Sequence, residues 1–171
     1  MEYKIRPVES GDAPALAHIQ TESWKAAFAK LLPEEVLRSA TQVQPAEQMY
    51  RKLLAEQFGH GLMMEVDGAP HCMAWWSASR DPECPGDAEI ICIHSLPGNW
   101  GRGYGGAMMD RLLADIRRAG YRRVMLWVFQ DNVRARGFYE KKGFVCNGRT
   151  QPSFGIEEVC YERKLPADAE Q

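Results

Sequence analysis

The sequence predicts an α/β fold, α+β in schemes that separate mixed sheets, in which a mixed sheet carries helices on both faces. Three observations predict it. Seven strand-length apolar runs are spread along the 171 residues. Strand and helix patterns alternate only in the second half of the chain, so the sheet is mixed rather than uniformly parallel. One run, Glu89-Ile90-Ile91-Cys92-Ile93-His94, is apolar on both faces, as a strand covered from both sides must be.

Taken in order, residues 3–7 read as a short first strand. From Ala13 the apolar residues Leu16, Ile19, Trp24, Ala27, Phe28 and Leu31 form a helical stripe that Pro33 interrupts. Pro45 is placed to open a helix toward Phe58, with Met49, Leu53 and Leu54 facing inward. Residues 61–66 and 70–78 are strand-length runs joined by Asp67-Gly68, a strong hairpin signal. A loop with two prolines and a glycine precedes the central strand at 89–94, and Pro97-Gly98-Asn99 breaks that strand. Met108, Met109, Leu112, Leu113 and Ile116 recur at helical spacing up to a Gly120 stop. Residues 124–129 are a buried strand, 132–142 a helix ended by Gly143, and 144–151 and 156–165 two closing strands. The expected organisation is one domain over 1–165 with a loose tail at 166–171.

Composition narrows the function classes. A chain this long buries about 70% of its unfolded surface, enough for one core without disulfide or metal staples. With 21 basic against 23 acidic side chains it lacks the positive excess of a nucleic-acid surface, so any anionic ligand must be held locally. No apolar run approaches a membrane span, so no membrane partner is expected. The N-terminal residues lack the apolar core of an export signal, and the five cysteines show no CxxC spacing. Free thiols in a reducing cytoplasm are the expectation. His18, His60 and His71 stand at no metal-ligand spacing, so no metal is expected.

The most informative segment is Trp100-Gly101-Arg102-Gly103-Tyr104-Gly105-Gly106, between the central strand and the next helix. A strand, a glycine-rich turn and a helix N-terminus together make an anion site, because backbone N–H groups approach a phosphate and the helix dipole adds positive potential. Arg102 adds a charged side chain. The plainer reading is a tight turn whose glycines serve packing alone. Walker A chemistry is excluded by the missing Gly-Lys-Ser/Thr ending. Gly101, Gly103 and Gly106 spell a nominal dinucleotide fingerprint, with Asp131 beyond it. Four residues separate strand from glycine, however, and only 65 follow Gly106, too few for a doubly wound sheet.

These residues resemble the GNAT (GCN5-related) N-acetyltransferase superfamily. Trp100-x-x-Gly103-x-Gly105 occupies the place of the family's Arg/Gln-x-x-Gly-x-Gly/Ala loop, with Trp100 replacing the usual polar side chain. Asn132-Val133-Arg134-Ala135 followed by Phe138-Tyr139-Glu140-Lys141-Lys142-Gly143-Phe144 resembles the family's Asn-x-x-Ala…Tyr-Glu-Lys-x-Gly-Phe helix. Residues 23–33 resemble a common family opening. The resemblance implies a GNAT-like, mainly antiparallel sheet of six or seven strands and transfer of acetyl from acetyl-CoA to a primary amine, on a small molecule or a peptide. It implies a ternary complex with direct attack; a homodimer is common in the family.

It also implies roles. Trp100, Gly101, Arg102, Gly103, Tyr104, Gly105 and Gly106 hold the pyrophosphate; Asn132 contacts the cofactor; and the backbone of Ile93, His94 and Ser95 pairs with the pantetheine arm like an added strand. Tyr139 takes the place of the general acid, and a phenol near its ordinary pKa of about 10 stays protonated at neutral pH. The alternative is a core aromatic on a helix that also buries Phe138. Glu89, 14 residues before Gly103, is the candidate base, with an exposed strand start as the alternative. His94 on the same strand is its rival, and water relays serve as well. Arg117, Arg118, Arg122 and Arg123 read as a solvated helix end or as contacts to the cofactor's adenosine phosphate. Trp24, Trp75 and Trp76 read as core or as walls of an acceptor pocket. Two rivals stand beside this reading: a non-catalytic acyl-CoA-binding module of the same fold, and a dinucleotide-dependent oxidoreductase.

Overall fold

The computed structural model describes residues 2–167. Five helices and seven strands follow in the order β1 (Tyr3–Pro7), α1 (Ala13–Ala27), α2 (Glu34–Ala40), α3 (Val43–Ala55), β2 (His60–Val66), β3 (Ala69–Ala78), β4 (Ala88–Ser95), α4 (Tyr104–Arg118), β5 (Arg123–Phe129), α5 (Val133–Lys141), β6 (Val145–Ser153) and β7 (Ile156–Lys164). The strands form one sheet in the order β1-β2-β3-β4-β5-β7-β6. Every neighbouring pair is antiparallel except β4 and β5. The expected mixed, mainly antiparallel sheet is present with seven strands. It is not the doubly wound parallel sheet that a dinucleotide-dependent oxidoreductase of the Rossmann type requires.

Local chemistry accounts for most boundaries. Asp67 and Gly68 both take positive φ, 50° and 81°, the pairing of a type I′ turn, and so close the β2–β3 hairpin where the Asp-Gly signal lies. Gly120 and Gly143 adopt the left-handed conformation just past α4 and α5. The helix expected from Ala13 stops at Ala27, and Pro33 then caps α2, a separate helix of seven residues for which the apolar stripe gave no warning. Pro45 lies inside α3, which begins at Val43.

Two clusters fill the two sides of the sheet. On one side α4 and α5 cover Ala74, Trp76, Ile90, Leu126, Val128 and Tyr161. On the other, α1 and α3 cover Met63, Met73 and Trp75. Met63, Met64, Met73, Met108, Met109 and Met125 are wholly buried, as expected of core-filling thioethers. Trp75 and Trp76 are core residues too, so of the three tryptophans considered for an acceptor pocket only Trp24 is left. The five cysteines are unpaired. No helix among the described residues is long and apolar enough to cross a membrane. Pro166 and Ala167 are exposed and outside any element, and the rest of the expected tail lies outside the described residues.

Candidate active site

The site begins with a strand pair that fails to stay paired. β4 and β5 pair only at Ala88↔Val124 and Glu89↔Met125. Beyond that point β4 stays with β3 as far as Ser95, while β5 stays with β7 as far as Phe129. The two parallel strands therefore diverge and leave a wedge with an unpaired backbone edge on each side. β4 also bulges: Trp75 faces Cys92 and Trp76 faces Ile90, so Ile91 has no partner on β3. A bulge frees backbone groups and redirects them, which is why bulges recur beside active sites. Ligands of open sheets collect at the carboxyl ends of parallel strands, the end at which this wedge opens.

A cleft of about 1020 Å³ runs through the wedge and joins the two faces of the sheet. On the α4–α5 side it is lined by the glycine turn. Gly101 and Gly103 have φ of 82° and 87°, a backbone that favours glycine, and Gly103 is the N-cap of α4. Gly105 and Gly106 have ordinary helical backbone, and a Cβ on either meets nothing closer than 3.5 Å. The fold alone therefore does not need glycine at those two positions. Amides of a first helical turn have no intrahelical acceptor, so this turn presents donors and positive potential to the cleft. That donor set fits a pyrophosphate.

Around it, Asn132 caps α5 by accepting a hydrogen bond from the Ala135 amide at 3.2 Å. The Trp100 indole donates to the Ser95 carbonyl at 2.9 Å, and the Arg134 guanidinium stacks on the Trp100 ring 3.5 Å from its centroid. Trp100 thus replaces a polar contact by a tie between the turn and the end of β4. It takes one acceptor position of the Ser95 carbonyl; because the Leu96 amide donates to the His71 carbonyl of β3, strand alternation turns the backbone of Ile93 and Ser95, rather than that of His94, toward the wedge. Arg102 is exposed and does not line the cleft. Arg117 and Arg118 close α4, about 20 Å along its axis from the glycine turn, and Arg118 and Arg123 are paired with Asp115 and Asp87. The turn and that arginine group are too far apart to share a phosphate.

Tyr139 lines the cleft from α5, its ring held edge-on by Phe138 and Phe144. Burial pushes its phenol well above the ordinary value, so the hydroxyl keeps its proton. Both candidate bases are engaged elsewhere. Glu89 is buried rather than at an exposed strand start, and Arg80 takes both of its oxygens, at 2.7 and 3.1 Å, while the Arg80 amide donates at 3.0 Å. It sits at the closed end of the wedge and does not line the cleft. His94 lines the cleft, but its Nε2 accepts from the Trp24 indole at 3.3 Å, and burial lowers its pKa to about 4. At neutral pH the ring is uncharged, with its proton on Nδ1.

Comparisons place this arrangement. The sequence pattern of the acetyltransferase (GNAT) family matches residues 16–144. The chain belongs to the GNAT family. An uncharacterized N-acetyltransferase of Mycobacterium tuberculosis is 44% identical over 62 residues, 36% of this chain and 40% of that protein. A probable N-acetyltransferase of the same organism is 26% identical over 148 residues, 86% of this chain and 82% of that one. The chain thus spans about two fifths of the first relative's length and most of the second's. Among solved structures, the PaiA N-acetyltransferase from Thermoplasma acidophilum in complex with coenzyme A matches with a TM-score of 0.80 at 18% identity, over 96% of this chain and 100% of that one. That likeness establishes the GNAT fold. Within this GNAT chain, sequence reasoning missed the β4 bulge, the Arg80–Glu89 pair and the aromatic residues Phe28, Phe129 and Phe154 that line the cleft on the α1 side. Only the Phe28 and Phe129 runs carried a visible apolar pattern.

Proposed function

We propose that this protein transfers acetyl from acetyl-CoA to a primary amine by direct attack in a ternary complex. The observation that carries the reading is the wedge between β4 and β5, which joins a glycine-rich helix N-terminus on one face of the sheet to an aromatic mouth on the other. Acetyl-CoA supplies a thioester-activated acyl carbon and a thiolate that leaves. The amides of residues 101–106 hold the pyrophosphate, with Asn132 beside it. The unpaired edge of β4 over residues 93–95 takes the pantetheine as an added strand.

In this reading the amine loses a proton and forms the N–C bond, the C–S bond breaks, and the departing sulfur takes a proton from the Tyr139 hydroxyl. Arg80 holds both oxygens of Glu89 and Glu89 does not line the cleft, so the amine proton passes to water in the cleft rather than directly to that carboxylate. His94 keeps its hydrogen bond to Trp24 and shapes the cleft. The five unpaired thiols agree with a reducing, cytoplasmic setting.

The reading is tested by thermal unfolding with acetyl-CoA, CoA or NAD present. A ligand at 100 times its Kd stabilises by about 2.7 kcal/mol, several degrees for a domain of this size. Acetyl-CoA and CoA are expected to stabilise and NAD to have no effect; stabilisation by NAD alone overturns the assignment.

A further inference from the structure

On the α1 side the mouth of the cleft is a chain of four aromatic rings from three places in the fold: α1 with its C-cap, the end of β5 and the β6–β7 turn. Phe154, at the β6–β7 turn, packs edge-on against Trp24 of α1 with centroids 5.4 Å apart. Trp24 packs against Phe28 at 5.1 Å, and Phe28 against Phe129 at the end of β5 at 5.0 Å. None of the four belongs to the core clusters of the sheet. All four line the cleft; Phe129 is buried at the end of its strand, while Trp24, Phe28 and Phe154 are not fully buried and so are not explained as core filling.

Phe154 is the residue least expected where it stands. Its φ is 51° and it is 48% exposed. A hairpin position with positive φ favours Asn, Asp or Gly, and a bulky side chain there is a strained exception. An exposed aromatic residue on a strained backbone costs stability twice over, and such exceptions persist where a site uses them. Here the strained backbone brings the ring onto Trp24 at the rim.

Charge completes the description. His94 is neutral, and among the described residues Glu158 on β7, which accepts from the Gln151 side-chain amide at 3.0 Å, is the acidic side chain lining the cleft. The cations that line it, Arg134, Lys141 and Lys142, belong to α5 and its C-cap on the opposite face of the sheet. The aromatic mouth therefore attracts an alkylammonium group and repels a carboxylate.

Resting on the reading proposed above, we infer that the acceptor is a primary amine on an aromatic or bulky apolar body with no carboxylate beside the nitrogen: an arylalkylamine rather than an amino acid or a polyamine. The rings hold the body, the amine points through the wedge toward Tyr139, and Glu158 discriminates against an anionic neighbour of the nitrogen.

The experiment follows CoA thiol release from acetyl-CoA with phenethylamine, phenylalanine, spermidine or a short peptide with a free N-terminus as acceptor. Phenethylamine is expected to exceed the others at least tenfold in kcat/KM. Phe154→Asn, which suits the positive φ, is expected to raise the melting temperature while raising the KM for phenethylamine severalfold at similar kcat. Glu158→Gln is expected to narrow the gap between phenethylamine and phenylalanine. Preference for phenylalanine, spermidine or the peptide overturns the inference, as does an unchanged KM in Phe154→Asn. Stabilisation by acetyl-CoA without turnover of phenethylamine overturns the acceptor class alone. Absence of stabilisation by acetyl-CoA overturns the acetyl-transfer reading and this inference with it.

Discussion

Tyr139 carries two roles that can be separated by one atom. Its ring packs against Phe138, Phe144 and Tyr161, which Phe in its place would preserve. Its hydroxyl is the proton donor of the proposed step, and burial keeps it protonated across the working pH range. Tyr139→Phe is therefore expected to leave the melting temperature within about 2 °C of the parent, since loss of a hydroxyl that no described side chain engages costs well under 1 kcal/mol. The same variant is expected to lower kcat by about 10²–10⁴-fold in a CoA-release assay, the range of general acid catalysis. A fall in stability with unchanged kcat would make the residue a packing aromatic. The place of Tyr139 on the cleft was legible in the sequence because its neighbours form a contiguous motif. The engagement of Glu89 by Arg80 was not, because the pair is created by the path of the loop between β3 and β4. Residue type and strand position suggested a base, but nothing local records which cation folds back onto it. The same holds for Phe154: its identity is visible in the sequence, its positive φ is not.

At the scale of the element, the glycine turn separates glycines needed by the backbone from glycines that face a ligand. Gly103 needs its left-handed conformation, and Gly103→Ala is expected to cost about 1 kcal/mol in stability for that reason. Gly105 lies in regular helix, and an added Cβ would sit 3.8 Å from the Phe138 ring, an ordinary contact. Gly105→Ala is thus expected to stabilise the unliganded protein by up to about 1 kcal/mol through helix propensity and reduced unfolded-state freedom. In the same variant the KM for acetyl-CoA rises several-fold, because a methyl group stands where a phosphate would approach the amides. Unfolding and steady-state kinetics of the one variant check both halves; a more stable protein with unchanged KM would leave the turn a packing feature. The turn was readable because glycine spacing and a helix start are local signals. The wedge it serves was not. Divergence after Glu89 and Met125 reflects pairing over long sequence separation, set by how β3 and β7 hold their partners, and no periodicity within β4 or β5 encodes it.

The whole molecule binds its two cleft-side and core histidines in the neutral form, and this sets an acid limit on its stability. Burial lowers the pKa of His94 to about 4, and it lowers that of His71, which lies against Tyr104 and whose Nε2 is buried without a partner among the described residues. The unfolded chain, with histidines near 6.5, binds more protons than the folded one at pH values between those limits, so stability rises with pH there. Conversely, acidification is expected to remove stability from about pH 6.5 down to about pH 4, with His94 contributing at most about 3 kcal/mol and less to the extent that cleft water reaches its ring. The carboxylates shift in the same direction but act in another, more acidic window. Asp12 beside Arg6, and Asp81 accepting from the Glu83 amide and beside Arg149, have lowered values, so their contribution is intact until the pH falls below about 4. Melting temperatures between pH 7.5 and pH 4.5 therefore isolate the histidines. His94→Gln, whose amide oxygen can still accept from Trp24, is expected to flatten that slope while retaining the fold; an equal slope in parent and variant would assign the acid sensitivity elsewhere.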